Sequence, residues 1–342
     1  MRILQVDNWQ WRRYGDIRVS TSRKLFNGLI RGNHQVLEFS DRDIASYEAP
    51  LRIRRLGVGR ANRLLIETAQ RYKPDMLLIG HADLITNETL VAIKAKNPAL
   101  RIAYRNVDPL FNPRTVRNIM RRVEVADAIF ITTGGEQLKQ FLRRGNRVCF
   151  MPNPTDPAVE CFDNAGRTEF DRDLLFCGIG SPDDPRHDLV GRLREELDGV
   201  RFDIFGMHGK EPLWGAAYDL ALAGSKMGLN LNRQEGDYLY SSARISQLMG
   251  NGILTFMARA SGYDRFFGDD ELAVFFDGAS DLVEKVLRFH KDDARRQQVA
   301  ARGQAWYRQE FSGQRVAAFM IDVAFERDFA HDYPWQDQVF TA

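Results

Sequence analysis

The chain has 342 residues, 44% of them hydrophobic and 27% charged, which fits a globular protein with room for two α/β domains of about 150 residues each. Its three cysteines, Cys149, Cys161 and Cys177, are odd in number and lack metal-ligand spacing, which argues for a reducing compartment and against a disulfide scaffold. The net charge of +2 conceals a split, because residues 1–150 carry 27 Lys and Arg against 14 Asp and Glu, whereas the remainder carries 21 against 32.

An asymmetry of that kind bears on partners rather than on fold. Only 9 of the 48 basic residues are Lys, so it suits Arg-rich composition as well as a first half that faces an anionic acceptor or a phospholipid surface. No run approaches the ~20 apolar residues of a membrane span. The opening MRILQVDNWQ has no apolar signal core, so a cytoplasmic protein is expected, with any membrane contact peripheral to the inner face.

Arg2 to Asp7 reads as a buried strand, followed by a loop rich in Trp, Arg and Gly that ends on Gly15 and Asp16. Ser20 to Arg31 reads as a helix and His34 to Ser40 as a second strand. Leu51 to Gln70, with five arginines, suits a loop and then a helix. Met76 to Ile79 is a strand with His81 directly beyond its end, and Arg101 to Asn106 another with Asp108 beyond it. Residues just past such strands line the rim where open α/β sheets bind ligands. Asp16, His81 and Asp108 are therefore candidates for a general base, although each also suits a turn, a cap or a structural contact.

Pro113 opens a helix that places Arg114, Arg117 and Arg121 on one face, either solvated or turned to an anionic acceptor or lipid headgroups. Gly134-Gly135 follows the next strand, and Val148 to Met151 closes the first domain. The prolines at 152, 154 and 157 stiffen a polar stretch. The domain reading is 1–155, a linker over 156–170, a second domain over 171–325 and a tail over 326–342 that crosses back to the first domain.

The second domain opens with a strand ending at Cys177 and then Gly178-Ile179-Gly180, which permits close ligand approach without completing a dinucleotide fingerprint. A strand over Arg201 to Phe205 ends in Gly206-Met207-His208. Leu213 to Ala223 has helical spacing, and Ser225-Lys226 precede a strand over Met227 to Leu231. Ser241 and Ser242 read as N-caps of a helix that carries Arg244 and Ser246 and ends near Gly250, an arrangement suited to an anion. A further strand runs into Ser261-Gly262-Tyr263. Read from residues alone, these loops suit both ordinary turns and a nucleotide site.

The order SK-x-x-LN (225–230), R-x-x-x-x-MGNG-x-L (244–254), FF-x-DDEL (266–272), FFD (275–277) and R-x-x-x-AARG (296–303) resembles the C-terminal half of group 1 glycosyltransferases, most of all the spore maturation protein type. The likeness covers about 173–311, and the first half only in layout. It implies a GT-B architecture, two doubly wound Rossmann-like α/β domains with parallel sheets facing a cleft. The implied activity is transfer of a sugar from a nucleotide-diphosphate-sugar to a glycan or lipid-linked acceptor, with no metal or other cofactor required.

Donor contacts would come from Gly178, Gly180, Gly206, His208, Lys226, Ser241, Ser242, Arg244, Ser246, Gly262 and Tyr263. The paired glutamates of the wider superfamily correspond here to Tyr238 and Ser246. That departure keeps open an epimerase or hydrolase of the same fold and an inactive nucleotide- or sugar-binding protein. Nucleic acid is not an expected partner, since the basic half shows no binding motif.

Overall fold

The structure is a computed structural model that describes residues 1–16, 20–234 and 237–342. Two compact units emerge, one from residues 1–152 and 313–342, the other from residues 153–312.

The first unit is built on strands β1 (Arg2–Asp7), β2 (Gln35–Ser40), β3 (Met76–Ile79), β4 (Arg101–Asn106), β5 (Ala128–Ile131) and β6 (Arg147–Phe150). Around them pack helices α1 (Ser20–Arg31), α2 (Asp41–Tyr47), α3 (Arg54–Tyr72), α4 (Asn87–Lys96) and α5 (Pro113–Val123). The sheet order is β6-β5-β4-β3-β1-β2, with every neighbouring pair parallel. Near-continuous apolar runs such as Met76–Ile79 and Ala128–Ile131 are fully buried, as strands covered on both faces require. The chain reverses direction across the sheet between β1 and β3, so the C-terminal ends of those two strands flank a crevice.

The second unit has strands β7 (Arg172–Cys177), β8 (Phe202–Phe205), β9 (Ser225–Asn230), β10 (Leu254–Ala258) and β11 (Val274–Phe276), in the all-parallel order β11-β10-β9-β7-β8. Its helices are α6 (Pro185–Glu196), α7 (Gly215–Ala223), α8 (Arg244–Gly250), α9 (Ala279–Lys291) and α10 (Asp293–Glu310). Leu174, Phe176, Met227, Leu229, Leu254 and Phe256 join α6 and α9 residues in one core, and Leu175, Leu222, Leu248 and Ile253 form another. Here the direction change falls between β7 and β9.

The domain limits differ from the sequence reading. Residues 156–170 are no linker but part of the second unit, where Asn164 donates to the carbonyls of Leu222 and Ser225. Residues 313–325, assigned to the second domain, form α11 (Gly313–Phe325) in the first unit. Helix α11 packs on α1 so closely that a Cβ on Gly28 would lie 2.2 Å from the Gly313 backbone. The terminal strand β12 (Val339–Thr341) then pairs antiparallel with β6. Gln338 accepts from the Gly135 amide at 2.8 Å, which occupies the backbone of the double glycine.

Candidate functional site

At the C-terminal edge of the first sheet, Asp7 ends β1 and is buried against Arg105, which rises from β4. Ser22 on α1 donates to Asp7 at 2.8 Å and accepts from Arg105. The backbone amides of Asn8 and His81 both donate to Asp7 Oδ1 at 3.0 Å. Burial pushes the Asp7 carboxyl up, but Arg105, His81 and the Ser22 hydroxyl outweigh it and hold the group below the usual carboxylate range. A side chain on Gly80 would collide with both Asp7 and Arg105, so glycine is required where β3 passes the ion pair. This buried pair fixes the backbone from which His81 projects.

His81 Nε2 lies 3.9 Å from Asp108 Oδ2, with both side chains partly exposed. The structure thus brings together two of the three candidate bases from the loops after β3 and β4. Asp16 is exposed at the end of a turn where its amide donates to the Arg13 carbonyl. Arg114, Arg117 and Arg121 are all exposed on α5, as their spacing predicts. Their neighbour Arg122 instead turns inward to the Ala82 and Ile85 carbonyls, and burial lowers its pKa to about 10.

In the second unit the direction change between β7 and β9 is spanned by Arg244. Its Nε donates to the Cys177 carbonyl at 2.8 Å and its Nη1 to the Leu231 carbonyl at 3.0 Å. Phe176 lies beneath two guanidiniums, Arg244 at 5.1 Å and Arg186 at 5.9 Å. Burial lowers the Arg244 pKa, with Arg186 adding to the effect. Arg186 is held by Asp184 and the Ile179 carbonyl, and Arg233 donates to that same carbonyl at 3.0 Å.

Arg186 and Arg233 line a cavity of about 320 Å³ at the C-terminal ends of β9, β10 and β11. Leu231 and Asn232 after β9, Ala258 at the end of β10 with Ser261 beyond it, Gly278 and Ala279 after β11, and Asp188 of α6 share its wall. Helix α9 begins on its lining behind Gly278, with no side-chain cap, so its first amides face the site, whereas the first turn of α6 opens on Pro185 and is capped by Asp184. Ser261 Oγ and Asn232 Oδ1 are buried there without a hydrogen-bond partner among the described residues. Polar atoms left in that state are uncommon, and a ligand is one way to satisfy them.

Several expected donor residues are elsewhere or otherwise engaged. Lys226 is at the start of β9, the opposite end of the sheet, where its Nζ meets Asp293 at 2.9 Å. Tyr263 is wholly buried, stacked on Phe267 at 6.0 Å, and burial pushes its phenol upward. Ser241 is no helix cap: its Oγ receives a hydrogen bond from the Asn230 amide at 3.0 Å, while α8 starts at Arg244 with no side-chain cap. Ser242 stands partly exposed ahead of α8 with its Oγ buried. Ser246 is buried with its hydroxyl turned to the Ala243 carbonyl at 2.8 Å.

Gly178, Gly180 and Gly206 stitch the loops after β7 and β8 together. The Gly178 amide donates to the Phe205 carbonyl and the Gly180 amide to the Gly206 carbonyl, and a Cβ on Gly206 would strike Gly178. His208 stacks on His187 of α6 at 3.8 Å, its Nε2 2.9 Å from the His187 carbonyl oxygen. Gly262, with φ +73°, leaves room for the Tyr238 ring, which approaches its Cβ position to 2.6 Å. Among the described residues no group of three His, Cys, Asp or Glu is placed to hold a metal ion.

The two units have the fold of GT-B glycosyltransferases. Over 95% of this chain, the UDP-glucose complex of Alr3699/HepE from Anabaena superposes with a TM-score of 0.60 and 13% identity, with 100% of that chain covered. Sucrose-phosphate synthase from Thermosynechococcus elongatus gives a TM-score of 0.57 at 12% identity, covering 95% of this chain and 98% of that one. A trehalose-6-phosphate synthase gives 0.55 at 10%, covering 96% and 100%. At such identities the likeness is one of fold. Residues 186–322 match a family model described as Glycosyl transferase-like. No sequence among the curated proteins matches the chain.

The matched segment begins at Arg186 and includes Arg233, and the sequence reading overlooked both. Asp184-Pro185 is a recognisable helix start, and it places Arg186 in the first turn of α6. The Asp7–Arg105 pair was also signalled, by a carboxylate and a guanidinium inside otherwise buried strands.

Proposed function

We propose that the chain is a glycosyltransferase that moves a sugar from a nucleotide-diphosphate donor to a glycan or lipid-linked acceptor in bacterial cell-surface polysaccharide or glycoconjugate synthesis. The observation that carries this reading is the second unit's cavity, where Arg186, Arg233 and the uncapped N-terminus of α9 converge at the sheet's C-terminal edge. Cations and amides at that place offset the charge that develops on a leaving diphosphate, typically the largest catalytic contribution in such chemistry. In the first unit His81 takes the acceptor hydroxyl's proton and Asp108 stabilises the resulting imidazolium. No step is assigned to a metal.

A second reading, a nucleotide-sugar-binding protein without turnover, is favoured by one observation. Where the resembled family carries its paired glutamates, Tyr238 accepts from Arg265 at 2.9 Å and Ser246 is sealed inside α8. Neither supplies a carboxylate to a ribose.

The test is a thermal-shift screen against UDP, GDP, ADP, CMP and dTDP and their sugars, followed by nucleotide-release assays. A shift with one nucleotide that disappears in Arg233→Ala supports the donor site. Release that needs an acceptor identifies a transferase, and release from donor alone a hydrolase or epimerase. Binding without release selects the second reading, and no shift at millimolar concentration removes the donor site altogether.

A further inference from the structure

Between α2 and α3 the chain presents Pro50-Leu51-Arg52-Ile53-Arg54-Arg55-Leu56, and all seven residues are exposed. Leu51 is 90% exposed, Leu56 56% and Ile53 44%. Single exposed apolar residues are ordinary, but three large ones in so short a stretch mark an interaction surface. Arg52, Arg54 and Arg55 alternate with them and pair with no carboxylate among the described residues, whereas nearby Arg60 is engaged by Glu48. Leu51 and Arg52 both adopt left-handed backbone, with φ of 53° and 56°, a conformation that non-glycine residues seldom take.

The stretch stands on a firm base. Helices α2 and α3 approach so closely at Gly57 that a Cβ there would overlap the Ala45 carbonyl. Asn62 of α3 donates to the Leu84 carbonyl in the loop after β3, which ties the helix to the loop that carries His81. Helix α2 leaves the C-terminal end of β2, and α3 runs back toward the start of β3. The stretch therefore lies at the same edge of the first sheet as His81 and Asp108.

We propose that residues 50–56 dock the chain on an anionic phospholipid surface, with Leu51, Ile53 and Leu56 entering the headgroup boundary and Arg52, Arg54 and Arg55 engaging lipid phosphates. Apolar side chains interleaved with unpaired cations fit that interface, because each side chain meets the layer it prefers. Nucleic acid would use the arginines and leave the three apolar residues in water. A protein partner would require the arginines to find carboxylates. The exposed stripe of Arg114, Arg117 and Arg121 supplies charge without comparable apolar insertion. The inference deepens the lipid-linked acceptor reading by placing the acceptor rim against the membrane.

The test is co-sedimentation of the full chain with vesicles of phosphatidylcholine alone and of equal parts phosphatidylcholine and phosphatidylglycerol. Binding to the anionic vesicles only is expected. Two variants carry the argument: Arg52→Glu with Arg54→Glu and Arg55→Glu, and Leu51→Ser with Ile53→Ser and Leu56→Ser. The first should weaken binding roughly 100-fold or more, from three cations near an anionic surface. The second should lose binding while thermal unfolding stays as in the parent.

Equal binding to neutral vesicles, no binding to either, or unchanged binding by both variants would overturn the proposal. So would a vesicle-free dimer that the serine variant disperses, since the stretch would then cover a second copy. Nucleotide shifts in the same variants keep the readings separate: lost vesicle binding with intact nucleotide binding concerns this surface alone. Vesicle binding without any nucleotide shift overturns only the donor site.

Discussion

Lys226 holds its ammonium 2.9 Å from the Asp293 carboxylate at the end of β9 where the strand begins. Parallel strands place their ligand-facing loops at the other end, so this pair joins β9 to α10 and not to a donor. Burial raises the Asp293 carboxyl, but Arg296 and Lys226 bring it below its ordinary value. Because Asp293 is substantially solvated, Lys226→Met is expected to lower stability by roughly 1 kcal/mol or less. Isothermal titration should give the same nucleotide affinity in parent and variant. A lost affinity would mean that the lysine reaches the ligand after all.

Arg233 and Arg244 separate binding from scaffolding in the second unit. Arg233 is mostly exposed and lines the cavity. Arg233→Ala should weaken nucleotide binding by about tenfold or more, the ~1.5 kcal/mol expected of one charge-assisted hydrogen bond, at nearly unchanged melting temperature. Arg244 instead spans the carbonyls of Cys177 and Leu231. Its replacement by Ala should cost about 2–3 kcal/mol of stability, measured by urea unfolding, because two carbonyls lose a charged donor. Equal stability in the two variants would contradict this division.

Asp7 and Arg105 form a buried pair, so removing one partner leaves the other's charge uncompensated. Asp7→Asn is expected to destabilise the first unit by about 3–5 kcal/mol, and a further Arg105→Met should recover part of it. The folded carboxyl titrates below its unfolded value. Its stabilisation is therefore present above the ordinary carboxylate range and lost as pH falls through the folded value. Urea titrations from neutral to acid pH should show the parent converging on Asp7→Asn. A constant gap between them would refute the assignment.

Much of the architecture was legible because its signals are local. Apolar runs such as Met76–Ile79, followed at once by Gly80-His81, announce a parallel strand and its rim. The sequence does not show that α11 belongs to the first unit, because its docking on α1 depends on two glycines, Gly28 and Gly313, far apart in the chain. For the site, residue type proved a weaker guide than strand end: Lys226 and Arg244 both belong to the matched segment, yet only Arg244 is at the ligand edge. Tyr263 reads as a polar loop residue until the packing of Phe266, Phe267, Tyr307 and Phe311 places it in an aromatic core.

The contact between α1 and α11 makes its own prediction. With the Gly28 Cβ position 2.2 Å from the Gly313 backbone, Gly28→Ala cannot be accommodated without moving a helix. Overpacking of this kind typically costs about 1–3 kcal/mol. Thermal unfolding should register the loss, and limited proteolysis should cut the region around α11 faster. Unchanged unfolding and protease resistance would show that the two helices stand farther apart.

Asp41 gives stability a pH dependence opposite to that of Asp7. It is buried at the start of α2, and burial pushes its carboxyl up to about 7, although the Leu84 amide, Arg42 and the Arg42 amide pull it down and Asp83 pushes it further up. A folded value above the unfolded one means that the folded state holds the proton more tightly. Stability from this group is then fully present below about pH 4 and declines as pH rises toward 7, by up to about 4 kcal/mol if the whole shift were realised. Arg122, whose own pKa burial lowers to about 10, also senses the Asp41 charge. Urea unfolding of the parent should therefore lose stability between about pH 4 and about pH 7 relative to Asp41→Asn, which cannot ionise. The comparison rests on the slope with pH, since the amide must also turn one N–H toward a donor that the carboxyl accepted. Parallel curves for parent and variant would mean that Asp41 ionises in the folded state as easily as in the unfolded chain.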